Sequence, residues 1–242
     1  YMKILAVQNR MGIGDTVIFL PFIKALYKKF NSPINLLVKE SSKAEQYLFE
    51  TNYIDKILIL ERDRNNNNRH SGILGNLKLV EDLKKYNFDK IFIFNSSIRF
   101  NLIARFAKIR EIYQYPLFDK HKQHIIDTPK KFIKDKLDLE VNEDPCIEIS
   151  DKLILETVEK FKINKNELNI LLGVGGSGPT KRIPSETFLD VIDKILKTKK
   201  CRFFLATGKN TEEQIILNEI LNSKFKNYCV PLDNFSIKET LP

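Results

Sequence analysis

The sequence predicts an α/β protein built from two doubly wound parallel sheets. Short apolar runs alternate with stretches of helical periodicity along the chain. Two of the strand-to-helix loops are rich in glycine, and the alternation pauses once, over a proline-punctuated segment between residues 113 and 144. At 242 residues the chain is long enough for two modest cores.

The first element is KILAVQ, residues 3–8. It leads into NRMGIGD and then into Val17, Leu20, Ile23, Ala25 and Leu26 at helical spacing, which reads as strand, loop, helix. Strands follow at 34–38 and 56–60, with a helix predicted between them over 42–51. Residues 62–72 are polar and include four consecutive asparagines, so they read as an exposed loop. A helix over 73–86, a strand at 90–94 and a helix over 99–108 continue the rhythm. Pro116, Pro129 and Pro145 then punctuate a lysine-rich segment whose one clear helix covers about 129–137. The domain boundary is placed at the end of that segment, giving domains 1–149 and 150–242.

The second series comprises a helix over 151–161, strands at 168–173, 202–206 and 227–230, and helices over 184–196 and 211–221. Three strands are fewer than the roughly five or six of an average sheet. A further helix is predicted to open just before residue 242, so the second domain reads as partial.

Composition narrows the function classes. With 43% hydrophobic and 29% charged residues the chain is not of the disordered type. No run approaches the roughly 18 to 20 apolar residues of a membrane span, and residues 2–7 lack the parts of a secretory signal, so a cytoplasmic protein is expected. Cys146, Cys201 and Cys229 are odd in number and widely spaced in apolar runs, which predicts buried free thiols rather than disulfides or a zinc knuckle. His121 and His124 lie three apart without a third ligand nearby, and no Asp-x-Asp triplet occurs, so neither metal nor cofactor is expected. The net charge of +9 fits a phosphorylated ligand, an anionic membrane surface or nucleic acid, and does not choose among them.

Two loops have the composition for chemistry. Gly12-Ile13-Gly14-Asp15 follows the first strand, at the sheet edge where open α/β folds bind ligands. It is not a dinucleotide fingerprint, because Val17 stands where the third glycine belongs, and Asp15 would repel a pyrophosphate at that helix terminus. Asp15 reads either as a general base for a substrate hydroxyl or as the cap of a helix beginning at Thr16. The second loop, GVGGSGPTKRI, holds four of the nine glycines of the chain. Gly175 and Gly176 would let backbone N–H groups approach an anion, Ser177 and Thr180 add hydroxyls, and Lys181 and Arg182 add charge beside a helix N-terminus. The pattern suits a diphosphate; a plain strand-helix connection carrying two cations is the alternative. Pro179 occupies the place of the Walker lysine, so nucleotide hydrolysis is disfavoured. Ser96, Ser97 and Arg99 follow a further strand and read as an anionic acceptor contact or as a simple helix start.

Three segments together carry a family resemblance. MKILAVQNRMGIGDTVIFLPFIKAL, DKIFIFNSSIRFNLIARFAKIREIYQY and ILLGVGGSGPTKRIPSETF resemble, in order and spacing, the motifs of glycosyltransferase family 9, the lipopolysaccharide heptosyltransferases. The resemblance implies a GT-B fold, with two Rossmann-like domains facing each other across a cleft, the acceptor on the first and the nucleotide sugar on the second. It also implies inversion at the anomeric carbon without a required metal. By position, Asp15 is similar to the family's catalytic base, and Lys181 with Ser177 to its donor-diphosphate contacts, beside Gly175, Gly176 and Thr180. Gly14 and Arg99 fall on the acceptor side. The implied partners are a nucleotide-sugar donor such as ADP-heptose, a lipid-linked glycan acceptor and the anionic inner membrane face, with no nucleic acid. Ile183 departs from the family's usual tryptophan, and the later Asp-x-Gly-Pro-x-His segment does not occur in these 242 residues. A non-catalytic relative that holds a phosphorylated ligand is the competing reading.

Overall fold

The computed structural model describes residues 2–10, 12–62, 68–117, 124–175, 182–208, 210–233 and 235–241. The chain divides into two compact units, Tyr1–Glu148 and Ile149–Pro242.

The first unit opens with β1 (Ile4–Val7), α1 (Ile13–Phe30), β2 (Ile34–Lys39) and β3 (Ile54–Leu60). It continues with α2 (Gly72–Lys84), β4 (Lys90–Ile93), α3 (Ile98–Phe106), β5 (Glu111–Gln114) and α4 (Asp127–Leu137). All pairings are parallel and the strand order is β3-β2-β1-β4-β5. Each of the four residues of β1 and β4 is buried, because helices cover both faces of the sheet. The two-residue alternation of β4 divides its side chains between those faces. Ile91 and Ile93 join Leu79, Leu83, Phe100 and Ile103 of α2 and α3 in one core. Phe92 and Phe94 meet Phe132 of α4 edge to face, at 6.5 and 5.5 Å between ring centroids, and Phe19 of α1 packs on Phe94 at 5.4 Å.

The helix expected over 42–51 does not form. Two short 3₁₀ turns, Glu40–Ser42 and Ala44–Gln46, stand there, separated by Lys43 at φ 50. The Ser42 hydroxyl explains the break: it donates to the Lys39 carbonyl at 2.6 Å and accepts from the Ala44 N–H at 3.3 Å, offering the backbone partners other than a helix ladder.

The segment leading into α2 is pinned at both ends of that helix. Gly75 packs so closely on His70 that an added Cβ would lie 2.3 Å from the His70 carbonyl carbon. Buried His70 accepts the Glu61 N–H at Nδ1, 3.1 Å away, which leaves Nε2–H to donate to Asp82 at 3.2 Å. Arg69 grips the same carboxylate at 2.8 to 3.0 Å and Lys85 donates to it at 2.9 Å. Burial alone would raise the Asp82 pKa; the hydrogen bonds from Lys85, Arg69 and His70 outweigh it and bring the value down to about 2.

The second unit comprises α5 (Asp151–Lys160), β6 (Leu168–Gly173), α6 (Ser185–Leu196), β7 (Cys201–Ala206), α7 (Thr211–Leu221), β8 (Cys229–Pro231) and α8 (Ile237–Thr240). Its strands form a parallel three-stranded sheet in the order β6-β7-β8. Phe203 and Leu205 pack with Phe188 and Ile192 of α6 and with Leu217 and Ile220 of α7. Cys201 and Cys229 lie in this core and are free thiols, whereas Cys146, expected to be buried, is exposed in a stretch without helix or strand at the end of the first unit.

Candidate functional site

Strand order makes the carboxyl edge of the first sheet a place for a ligand. Growth of the sheet reverses between β1 and β4, and open α/β sheets bind ligands in the crevice at such a point. The two strands end level, with Val7 opposite Ile93 and the Phe94 N–H donating to the Val7 carbonyl at 3.1 Å. Beyond that bond polar side chains order the diverging loops. Asn95 donates to the Asn9 side-chain carbonyl at 3.3 Å and accepts the Ser97 N–H at 2.9 Å, and Gln114 donates to the carbonyls of Asn95 and Ser97 at 3.0 and 2.8 Å. Gln8 is buried below them; its amide nitrogen reaches the Asp15 carbonyl at 3.4 Å while its Oε1 has no partner among the described residues.

Gly12 turns the chain into α1. Its φ of 107 and ψ of 159 are open to glycine and strained for any residue with a Cβ. The helix therefore starts at Ile13, which corrects the expectation that Asp15 caps a helix beginning at Thr16: Gly12 is the cap position and Asp15 sits inside the first turn. The Asp15 carboxylate folds back toward Gly12, with Oδ2 3.6 Å from where a Cβ would be. It is half-buried and has neither ion pair nor side-chain hydrogen bond among the described residues. Gly14 is exposed, with open space where a side chain would point.

Arg99, in the first turn of α3, is half-buried rather than free in solvent. It donates to Asn76 Oδ1 at 2.5 Å and to the His70 carbonyl at 3.1 Å, tying α3 to the start of α2. Both partners are neutral, so the guanidinium keeps its charge uncompensated at these contacts.

In the second unit the candidate diphosphate loop is described only at its two ends. Gly176, Ser177, Thr180 and Lys181 lie outside the described residues, as does His121. On the near side, the Val174 N–H donates to the Ala206 carbonyl at 2.8 Å, and an added Cβ at Gly175 would lie 2.9 Å from Glu213 Oε2. On the far side, Arg182 forms an ion pair with Glu212. Glu213 also accepts the Gly208 N–H at 2.7 Å, where a Cβ would meet it at 2.6 Å. Consecutive glutamates in the first turn of α7 thus lie beside both described ends of the loop. The helix expected over 211–221 does form, and Asn210 caps it, accepting the Glu212 N–H at 3.0 Å. That Glu213 would instead reach back to Gly208 and lie against Gly175 depends on two loops meeting in space.

No protein-family model matches the chain, and no curated protein sequence matches it significantly. Its architecture does have counterparts: the parallel α/β units give it the fold of a GT-B-type glycosyltransferase. Over 99% of its length it is similar to 75% of the Escherichia coli ADP-heptose LPS heptosyltransferase II, with a TM-score of 0.72 and 16% identity. It is similar over 99% to 71% of a glycosyl transferase family 9 structure from Veillonella parvula, with a TM-score of 0.75 and 16% identity. The E. coli heptosyltransferase WaaC with ADP-2-deoxy-2-fluoro heptose gives a TM-score of 0.71 at 15% identity, across 98% of this chain and 78% of that one. At such identities the likeness is one of fold.

Proposed function

We propose that the chain is an inverting, metal-independent glycosyltransferase of the heptosyltransferase type. In this reading it moves a sugar from a nucleotide donor such as ADP-heptose to a hydroxyl of a lipid-linked surface glycan, at the cytoplasmic face of the membrane. The observation that carries the reading is Asp15: a half-buried carboxylate without a counter-charge among the described residues, beside open space at the β1/β4 reversal. The fold likeness to heptosyltransferases supports it, and the absence of an Asp-x-Asp triplet in the sequence supports a metal-free donor site.

The reaction assigns each group one task. Asp15 accepts the proton of the acceptor hydroxyl as its oxygen attacks the anomeric carbon of the donor. The bond from that carbon to the diphosphate oxygen breaks, and the nucleoside diphosphate leaves with the electron pair. Lys181, Ser177, Thr180 and the backbone at Gly175 and Gly176 hold the diphosphate and offset its growing charge. Gly14 leaves room for the acceptor, and Arg99 attracts its anionic groups.

Transfer from ADP-heptose to a soluble acceptor glycan tests this assignment, with ADP binding measured in parallel. Asp15→Asn is expected to slow transfer by about 10²- to 10⁴-fold, the usual worth of a positioned base, with ADP affinity unchanged. Lys181→Ala should weaken ADP binding and transfer together. Transfer at the wild-type rate in Asp15→Asn would remove Asp15 as the base.

A further inference from the structure

The helices on one face of the first unit bear an apolar surface that no other described residue covers. Leu79, Val80 and Leu83 of α2 and Phe100, Ile103 and Ala104 of α3 face the sheet. The opposite sides of both helices carry large apolar residues into solvent. On α2, Ile73 is 83% exposed, Leu74 74% and Leu77 54%; on α3, Phe106 is 64% exposed, and Ile98 and Leu102 are about half exposed. Ile98, Leu102 and Phe106 are spaced by four and form one stripe, and α2 and α3 contact each other. Scattered apolar residues on a surface are ordinary; six on two adjacent helices form a patch that water solvates poorly.

Charge selects the partner. Among the exposed residues of α2, α3 and the turn after α3, Lys78, Lys84, Arg105, Lys108 and Arg110 stand against Glu81. Lys78 and Arg105 lie on the exposed sides of the two helices and make no ion pair among the described residues, and Lys108 and Arg110 follow α3, both exposed. Glu81 is the one acidic group on the exposed side of α2 and faces Arg69 electrostatically; Asp82 is consumed by Arg69, His70 and Lys85. A second copy of the chain docked on this face would bring like charges together. An anionic bilayer offers what the patch lacks: apolar depth for the six side chains and negative headgroups for the cationic rim. No helix among the described residues is long and apolar enough to cross a membrane.

We infer that the exposed faces of α2 and α3 form a docking surface for an anionic lipid bilayer. Ile73, Leu74 and Leu77 insert below the headgroups from one helix, and Ile98, Leu102 and Phe106 from the other. Ile73, Leu74 and Ile98 belong to the first turns of their helices, which start at the carboxyl edge of the sheet, the edge that carries Asp15 and Arg99. Docking here therefore presents that edge to a headgroup-borne acceptor. This last point rests on the transferase reading, whereas the docking itself does not.

Flotation with vesicles of phosphatidylethanolamine and phosphatidylglycerol, against vesicles of phosphatidylcholine alone, tests the surface. The wild-type chain should float with the anionic vesicles and lose roughly fivefold in partitioning for each charge removed in Lys78→Gln and Arg105→Gln. The combined Ile73→Gln, Leu74→Gln, Leu77→Gln and Phe106→Gln variant should lose at least about tenfold, from the apolar area no longer buried. Leu155→Gln, at an equally exposed site on α5, should leave flotation unchanged, and circular dichroism should find all variants folded. Equal flotation of the wild-type and four-site chains, or no flotation of the wild type, overturns the inference. So does a wild-type dimer that the four-site variant dissolves without vesicle binding. Soluble-acceptor transfer separates the two ideas. A chain that transfers but ignores vesicles loses the docking surface, and one that floats but never transfers loses the enzymatic reading.

Discussion

Asp15 and Glu213 are both first-turn carboxylates, and their surroundings give them opposite work. Asp15 is half-buried beside open space, while Glu213 is buried against Gly175 and Gly208 with the Gly208 N–H donating to it. The contact at Gly208 permits a sharp test. Gly208→Ala should destabilise the second unit by about 1 to 3 kcal/mol, the usual cost of overpacking, because its Cβ would fall within 2.6 Å of Glu213 Oε2. Adding Glu213→Ala should restore part of that loss, read as a non-additive change in melting temperature. If the two substitutions simply add, the packing account of Gly208 is wrong. Asp15 could be picked from sequence because a Gly-Asp pair after an apolar strand is a local pattern. Glu213 could not, since its partners arrive from the ends of two different strands.

Strands were the most legible elements. In parallel sheets covered on both faces they are continuous apolar runs, as in Ile4–Val7 and Ile34–Lys39, and periodicity over a few residues suffices to find them. Residues 42–51 were misread as helix because Ala44, Tyr47 and Leu48 have helical spacing and are buried, but a serine hydroxyl bonded to the neighbouring backbone outcompeted the ladder. The knot around Asp82, in the last turn of α2, was likewise hidden, since it joins Arg69 and His70 from the preceding loop to Lys85 at the helix end. The Asp82 carboxyl is depressed on folding from 3.8 to about 2, so its charged contacts stabilise the fold fully above about pH 4 and are lost as pH falls toward 2. Wild-type melting temperature should therefore drop more steeply between pH 4 and 2 than that of Asp82→Asn, which is less stable at neutral pH. Parallel slopes would place the acid sensitivity elsewhere. Gly75→Ala should loosen the opposite end of the helix, because its Cβ has no room beside the His70 backbone, and faster amide exchange over the first turns of α2 would report it.

For the molecule as a whole, charge excess was legible but its address was not: +9 spread over 242 residues gains meaning only when Lys78 and Arg105 turn out to rim an apolar face. The thiols have a similar history. Composition marked three free cysteines, and the fold sorts them, with Cys146 exposed in the first unit and Cys201 and Cys229 inside the second. Burial, reinforced by neighbouring Cys201, pushes the Cys229 thiol up to about 11, so little thiolate exists there at neutral pH. An alkylating reagent should consequently modify one site at once and the remaining two only at the pace of transient opening. Because both shielded sulfurs belong to the unit assigned the diphosphate loop, that slow phase becomes a built-in clock for ligand occupancy. Saturating ADP should lengthen it while leaving the fast phase untouched.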